Sequence, residues 1–364
     1  MLLKGVFMAT TDKAKEKYVA YVSTYTINED VGIHIYDVDV KKGSFTPKGE
    51  VKITNSSYLT MSHNGKYLYA ITDLGVEGYE ILPDGLLKRI NRASINGMRG
   101  CYLSTDYEDK FLFVAGYHDA KVTVLKLKEN GKIGEITDEI FNAGLGSIVE
   151  RSFRPHVTCV KMTRDNQYLC VCDLGMDQIK IYSFDHKNGK LKFKDMIHCE
   201  QDSAPRLIKF HKSGKFAYII HELGCKVDIY SYSNEKGYPD FVKIGSETTF
   251  NDSYHSKGTL ACAMKFSKDH KLLMCSAAGD NTVAVYKVNE KTGLLDKRLV
   301  LPISGDYPKD VAFFPDSKHI VSLNHESDSM SFFDLDLKND IIVMNGPFMK
   351  VKKGNCIITK KISE

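Results

Sequence analysis

A lysine or glutamine followed by an alternating run of aromatic and aliphatic residues recurs seven times along this chain. The copies are Lys17-Tyr18-Val19-Ala20-Tyr21-Val22, Lys66-Tyr67-Leu68-Tyr69-Ala70-Ile71, Lys110-Phe111-Leu112-Phe113-Val114-Ala115, Gln167-Tyr168-Leu169-Cys170-Val171-Cys172, Lys215-Phe216-Ala217-Tyr218-Ile219-Ile220, Lys271-Leu272-Leu273-Met274-Cys275-Ser276 and Lys318-His319-Ile320-Val321-Ser322-Leu323. Their first residues differ by 49, 44, 57, 48, 56 and 47 positions. Each copy is followed by a second alternating run, such as Gln178-Ile179-Lys180-Ile181-Tyr182 or Val227-Asp228-Ile229-Tyr230, and several then enter turns such as Asn130-Gly131 and Asn188-Gly189. Period-two alternation bounded by Gly, Asn and Asp predicts half-buried strands joined by hairpins. A further strand precedes each copy, as in Tyr58-Leu59-Thr60-Met61-Ser62, so each repeat carries about four strands in about 50 residues, the size of a propeller blade.

The fold expected is therefore all-β: a seven-bladed β-propeller of four-stranded antiparallel blades. Length alone, 364 residues, would suggest two or three domains. The repeat reduces this to one domain over residues 17–364 with a flexible tail over residues 1–16. The first blade lacks an inner strand at the N-terminal side, whereas Asn355-Cys356-Ile357-Ile358-Thr359 reads as an inner strand without a blade, so the C-terminal strand is expected to close the ring on the N-terminal blade. The two long intervals predict loop insertions near residues 134–153 and 246–259.

Composition narrows the class of function. A formal charge of +4, from 50 Lys and Arg against 46 Asp and Glu, gives no reason to expect nucleic acid or a membrane surface as partner. No apolar run of about 18 residues is present to span a bilayer, and a cytoplasmic protein, monomeric or homodimeric, is expected. Nine cysteines without framework spacing predict reduced thiols.

In a propeller the innermost strands face a central channel, and one repeat position forms a ring. Aligning the seven inner strands places Ser57, Cys101, His156, Arg206, Cys262, Lys309 and Cys356 in that ring. The ends of the second strands give another ring: Thr24, Asp73, Tyr117, Leu174, Glu222, Ala278 and His325, preceded by residues that include Asp173 and His221. A scaffold needs no cation at these positions, and burying one is costly unless it is paired or meets an anion. Arg and Lys suit a phosphate or carboxylate, His suits proton transfer near neutrality, and Glu222 stands where it can pair with Arg206 or act as base for water. The pattern predicts catalytic roles for His156, Arg206 and Glu222, and substrate contacts from Tyr25, Asp73, Tyr117, Asp173, His221, Lys309 and His325. No cofactor and no metal are called for. Such equipment suits the opening or closing of an ester ring in an anionic substrate.

These residues resemble a known family, the seven-bladed propeller lactonases that include bacterial 6-phosphogluconolactonase and fungal 3-carboxymuconate cyclase. The resemblance runs from Tyr21-Val22-Ser23-Thr24-Tyr25-Thr26 to Asn324 and Phe333. Its most specific stretch is Ala204-Pro205-Arg206 through His221-Glu222-Leu223, supported by Arg154-Pro155-His156, Asp173-Leu174-Gly175-Met176-Asp177 and Gly116-Tyr117-His118. It implies a lactone hydrolase with His156, Arg206 and Glu222 acting on the substrate, a small anionic lactone or sugar acid as the partner, and 6-phosphogluconolactone as the first substrate to consider. The chain departs from the family where Ala277-Ala278 replaces Asn-Arg, Thr158 and Leu207 replace histidines, and Lys309 replaces Arg. Loss of those groups points also to two alternatives: ring closure or opening on a different carboxylated or unphosphorylated lactone, and a propeller used as a non-enzymatic binding platform.

Overall fold

Each apolar run identified above forms the second strand of a blade, because its alternating side chains pack against the sheets on either side. A computed structural model describes residues 16–26, 30–146, 153–235, 237–251, 253 and 255–362. The expected tail, apart from Glu16, lies outside the described residues. Seven antiparallel sheets follow one another, and all but the first run from an inner to an outer strand in chain order. The fifth, for example, is built from Pro205–Phe210, Phe216–His221, Lys226–Ser233 and Asp240–Thr248. The seventh carries an extra two-residue strand, Met349–Lys350, beside its third strand.

Ring closure is as the sequence implies: Gly354–Ile362 pairs antiparallel with Lys17–Thr24 and is the inner strand of the first blade. The inserted residues fall later than expected. The outer strand Ile133–Phe141 takes up residues 134–141 of the first predicted insertion and Asp240–Thr248 takes up 246–248 of the second, so the extra length lies after Phe141 and after Thr248.

Neighbouring blades are tied at repeated points. The buried phenols of Tyr21, Tyr69 and Tyr218 each donate to a glycine carbonyl in the hairpin of the next blade, at Gly85, Gly131 and Gly293, over 2.8, 3.2 and 2.7 Å. Gly131 and Gly293 have φ of +75° and +76°, and a Cβ on either would meet the ring of Tyr67 or Phe216. These turns need glycine both for their backbone and for the close approach of the next blade.

Candidate active site in the central channel

Strand register shows which residues face the channel. Val157 pairs with Asp173 and Cys159 with Cys172, which leaves Thr158 as the bulged residue; Arg206 stands in the same bulge between Pro205 and Leu207, and Lys309 between Pro308 and Asp310. A bulge turns its extra residue out of the ladder. Here it aims that residue into the channel.

Two ring positions expected from sequence are thereby corrected. His156 is not the ring residue of the fourth blade; it lies two residues earlier, and Thr158 takes the position. Cys356 pairs in the ladder with Ser23, and the bulged residue of the closing strand is Asn355, between partners of Thr24 and Ser23. The second-strand ring shifts likewise: Tyr25, not Thr24, is equivalent to Asp73 and Tyr117. The corrected inner ring is Ser57, Cys101, Thr158, Arg206, Cys262, Lys309 and Asn355, and all seven line a central cavity of about 110 Å³. Tyr25 and Tyr117 flank it above, while Tyr58, Tyr102, Lys265 and Asp310 lie deeper.

Most of the ring is committed to holding blades together. Ser57 Oγ donates to Gly100 O at 2.9 Å, Cys101 Sγ to Val157 O at 3.3 Å, Thr158 Oγ1 to Arg206 O at 2.8 Å, Arg206 Nε to Cys262 O at 2.9 Å and Asn355 Nδ2 to Ser56 O at 3.3 Å. Each bond runs from one blade to the backbone of the next. The hoop is interrupted at Cys262, whose thiol turns back to Leu260 O, and at Lys309.

Lys309 has no hydrogen-bond or ion-pair partner among the described residues. Its ammonium lies 6.0 Å from the ring centre of Tyr25 and 5.5 Å from that of Tyr307, both within cation–π range. Burial, and then the like charge of Arg206, push the Lys309 pKa below its ordinary value. Arg206 is differently placed: Nη1 forms an ion pair with Glu222 Oε2, whose side chain is 2% exposed against 25% for the arginine. Burial opposes the arginine's charge, but Glu222 outweighs it and keeps the guanidinium protonated. Two of the three guanidinium nitrogens are thus occupied, one by Glu222 and one by the next blade.

The other candidates take distinct places. His156 is 3% exposed and stacks on Tyr117 with ring centres 4.1 Å apart, one ring behind the cavity wall. Its Nδ1 lies 2.8 Å from Tyr117 O. Since a carbonyl only accepts, Nδ1 carries the hydrogen and Nε2 holds the lone pair of the neutral ring. Burial, partly opposed by that carbonyl, lowers its pKa.

Asp173 accepts from His156 N at 2.9 Å and from Asn142 Nδ2 at 2.7 Å, so it anchors the strand entrance behind His156 and does not line the cavity. His221 is fully buried between Ser203 Oγ, 3.0 Å away, and Asp228 Oδ2, 3.3 Å away, within its blade. Asp73 pairs with Arg99 at 3.1 Å on the rim, where Arg99 also lies 4.9 Å over the Tyr25 ring. His325 bonds Gly354 O at 2.9 Å and meets Tyr25 edge-on at 5.7 Å, supporting that ring from outside. Thr158 was missed as a ring residue although its spacing marks it: it stands ten residues before Tyr168, as Arg206 stands ten before Phe216, whereas His156 stands twelve before.

A concave polar cavity at the centre of a seven-bladed propeller, lined by Arg206 and Lys309, defines a class of small-molecule-binding propellers. The family model described as "Lactonase, 7-bladed beta-propeller" matches residues 19–359, and the chain belongs to that family. It is 29% identical over 328 residues to the 6-phosphogluconolactonase of Bacillus subtilis strain 168, covering 88% of this chain and 92% of that one. Among solved structures it is similar to a putative 6-phosphogluconolactonase from Bacteroides fragilis, with a TM-score of 0.84, 26% identity and coverage of 97% and 99% of the two chains. The periplasmic gluconolactonase PpgL of Pseudomonas aeruginosa shares the fold, with a TM-score of 0.86 at 22% identity and coverage of 95% and 100%. Among the described residues no helix is long and apolar enough to cross a membrane.

Proposed function

We propose that this protein hydrolyses a sugar-acid lactone bearing an anionic group, with 6-phosphogluconolactone as substrate. The observation that carries the reading is Lys309: a cation at the cavity wall with no acceptor of its own, beside an arginine held rigid by Glu222. A lactone supplies what these cations lack, an anionic substituent and a carbonyl oxygen that gains charge as water adds. In this scheme Arg206 and Lys309 hold the anion or polarise the carbonyl, and Glu222 fixes the guanidinium. Tyr25 and Tyr117 enclose the sugar ring. His156, one ring behind the wall, takes the proton of the attacking water at Nε2 through a relaying water at the edge of Tyr117 and returns it by the same route to the ring oxygen as the carbon–oxygen bond breaks, leaving a carboxylate and a hydroxyl.

The family relationship to enzymes named 6-phosphogluconolactonase supports the same substrate class. The test is the rate of 6-phosphogluconolactone opening above its spontaneous hydrolysis. A wild-type excess that falls at least tenfold in Lys309→Met and in His156→Ala is expected, and a wild-type rate equal to that of His156→Ala rejects the assignment.

A second reading follows from Ala278, which occupies the shoulder position where the family's arginine would stand. With one cation fewer, an unphosphorylated lactone is the better fit. If Ala278→Arg creates phosphate-dependent binding that the wild type lacks, this second reading replaces the first.

A further inference from the structure

Three blades beyond the hoop carry a lysine at one and the same register position. Lys161 pairs with Cys170, Lys209 with Tyr218 and Lys265 with Met274, each opposite the corresponding residue of its blade's second strand. The four remaining blades have Thr60, Ser104, Ala312 and Ile358 there. Lys265 forms part of the floor of the cavity described above, and Lys209 and Lys161 stand at the same register on the fifth and fourth blades beside it; all three side chains are partly exposed.

Their partners do not balance them. Lys265 pairs with Asp310 at 3.0 Å and donates to Ile357 O at 3.2 Å. Lys209 reaches across to the Tyr102 hydroxyl at 3.3 Å, a neutral acceptor. Lys161 has neither hydrogen bond nor ion pair among the described residues, and its ammonium lies 5.7 Å from the ring centre of Tyr107.

One more cation stands close by. Arg164 lies 5.4 Å from the centre of the same Tyr107 ring, and His63, which burial and Lys161 keep neutral, stacks on that ring at 4.4 Å. Asp109 accepts from the backbone amides of His63 and Asn64 in the neighbouring blade's turn, and Asp106 from those of Lys110 and Phe111 in its own. The buried thiol of Cys159 lies near Lys161 and Lys209, Tyr58 and Tyr102 line the cavity on the other side, and Asp310 is committed to Lys265. These turns join the inner to the second strands, so the lysines approach the channel mouth opposite the Tyr25 and Tyr117 rim.

We propose that this lower half of the channel is a second anion site, in which Lys161, Lys209 and Lys265 bind a compact dianion such as a phosphoryl or sulfate group entering from the opposite mouth. Clustered ammonium groups with one carboxylate among them are costly to keep charged, and a bound dianion removes that cost. The lysine pKa values agree: burial, Lys209 and Arg164 push Lys161 down to about 7, and burial with Lys265 lowers Lys209, whereas Asp310 overcomes burial to raise Lys265.

Sulfate is the probe, because its charge is constant across the range in question. Calorimetric titration of the full chain at fixed ionic strength is expected to show saturable sulfate binding that persists in Lys309→Met, where the upper cavity has lost its free cation, and disappears in Lys161→Met/Lys209→Met. An amine with a pKa of about 7 that must be charged for binding loses affinity as pH rises, about tenfold from pH 6 to pH 8. Lys161→Arg, whose charge is fixed, is expected to retain binding without that pH dependence. In sulfate-free buffer Lys161→Met is expected to melt above the wild type, which also shows that the substitution folds. Binding unchanged in the double variant, binding lost in Lys309→Met, or a sulfate effect that tracks ionic strength alone overturns the proposal. None of these three outcomes depends on whether 6-phosphogluconolactone is the substrate.

Discussion

Replacing Glu222 by Gln isolates the pair that fixes Arg206. The carboxylate is 2% exposed and its loss leaves the guanidinium with the Cys262 carbonyl as its remaining partner at 2.9 Å. Removing one member of a fully buried pair costs about 3–5 kcal/mol. Arg206 is 25% exposed and the glutamine amide oxygen can still accept, so about 2–3 kcal/mol is expected here. With an unfolding entropy of about 2.1 cal/mol/K per residue over 364 residues, a loss of that size lowers Tm by about 3–4 °C.

Scanning calorimetry on Glu222→Gln, Arg206→Met and the double variant closes the cycle. The double variant is expected to be more stable than the sum of the singles by about 1–2 kcal/mol, since the second substitution removes the charge that the first left unpaired. Lactone hydrolysis by Glu222→Gln is expected to fall with the pH profile unmoved, because the scheme gives Glu222 an orienting role and leaves proton transfer to His156. Strictly additive melting losses, or Glu222→Gln melting with the wild type, refute the reasoning about the pair. A shifted pH profile refutes the division of roles.

Two further outcomes bear on the site and its frame. His156 acts as base when neutral, and burial holds its pKa below the ordinary imidazole value, so the enzymatic part of kcat/KM should fall on the acid side below about pH 6.5, and again on the alkaline side, short of the ordinary lysine range, as Lys309 loses its charge; a limb rising between pH 7 and 9 would point to another base. Asp228 is buried, yet His221 and then Lys243 hold its carboxyl far below the usual range. Its contribution is therefore complete above the unfolded carboxylate pKa of about 4 and lost as pH falls below it. Asp228→Asn should lower Tm at pH 7 and narrow the gap to the wild type at pH 3, followed by circular dichroism melts; a gap that widens toward acid would contradict the pairing.

The blade count was legible because the aromatic and aliphatic runs recur intact, and antiparallel hairpins cannot hide a period of that length. Register was harder. In the first blade the inner strand comes from the far end of the chain, so no local spacing relates Asn355 to Tyr25, and the alignment slipped by one on both strands. In the fourth, Pro155-His156 imitates Pro205-Arg206, and the match of residue types overrode the constant ten-residue distance that marks Thr158. Asp173 and His221 were placed in their ring positions, yet a ring position does not tell whether a side chain turns to the channel or to its own blade. That choice depends on neighbours such as Asn142 and Asp228, which are distant in sequence. The lower lysines escaped notice because each sits in an ordinary alternating strand, and only the superposition of three blades brings them together.

Closure of the ring by Gly354–Ile362 also sets an order of events during synthesis. Lys17–Thr24 is among the first strands to be made and its partner on the channel side is among the last, so that edge stays unpaired while six blades assemble beside it. An open strand edge is a template for pairing with another chain, and contacts that span nearly the whole sequence form slowly. The half-built ring is thus the state most exposed to aggregation, and the final nine-residue strand, Gly354–Ile362, is what ends that exposure.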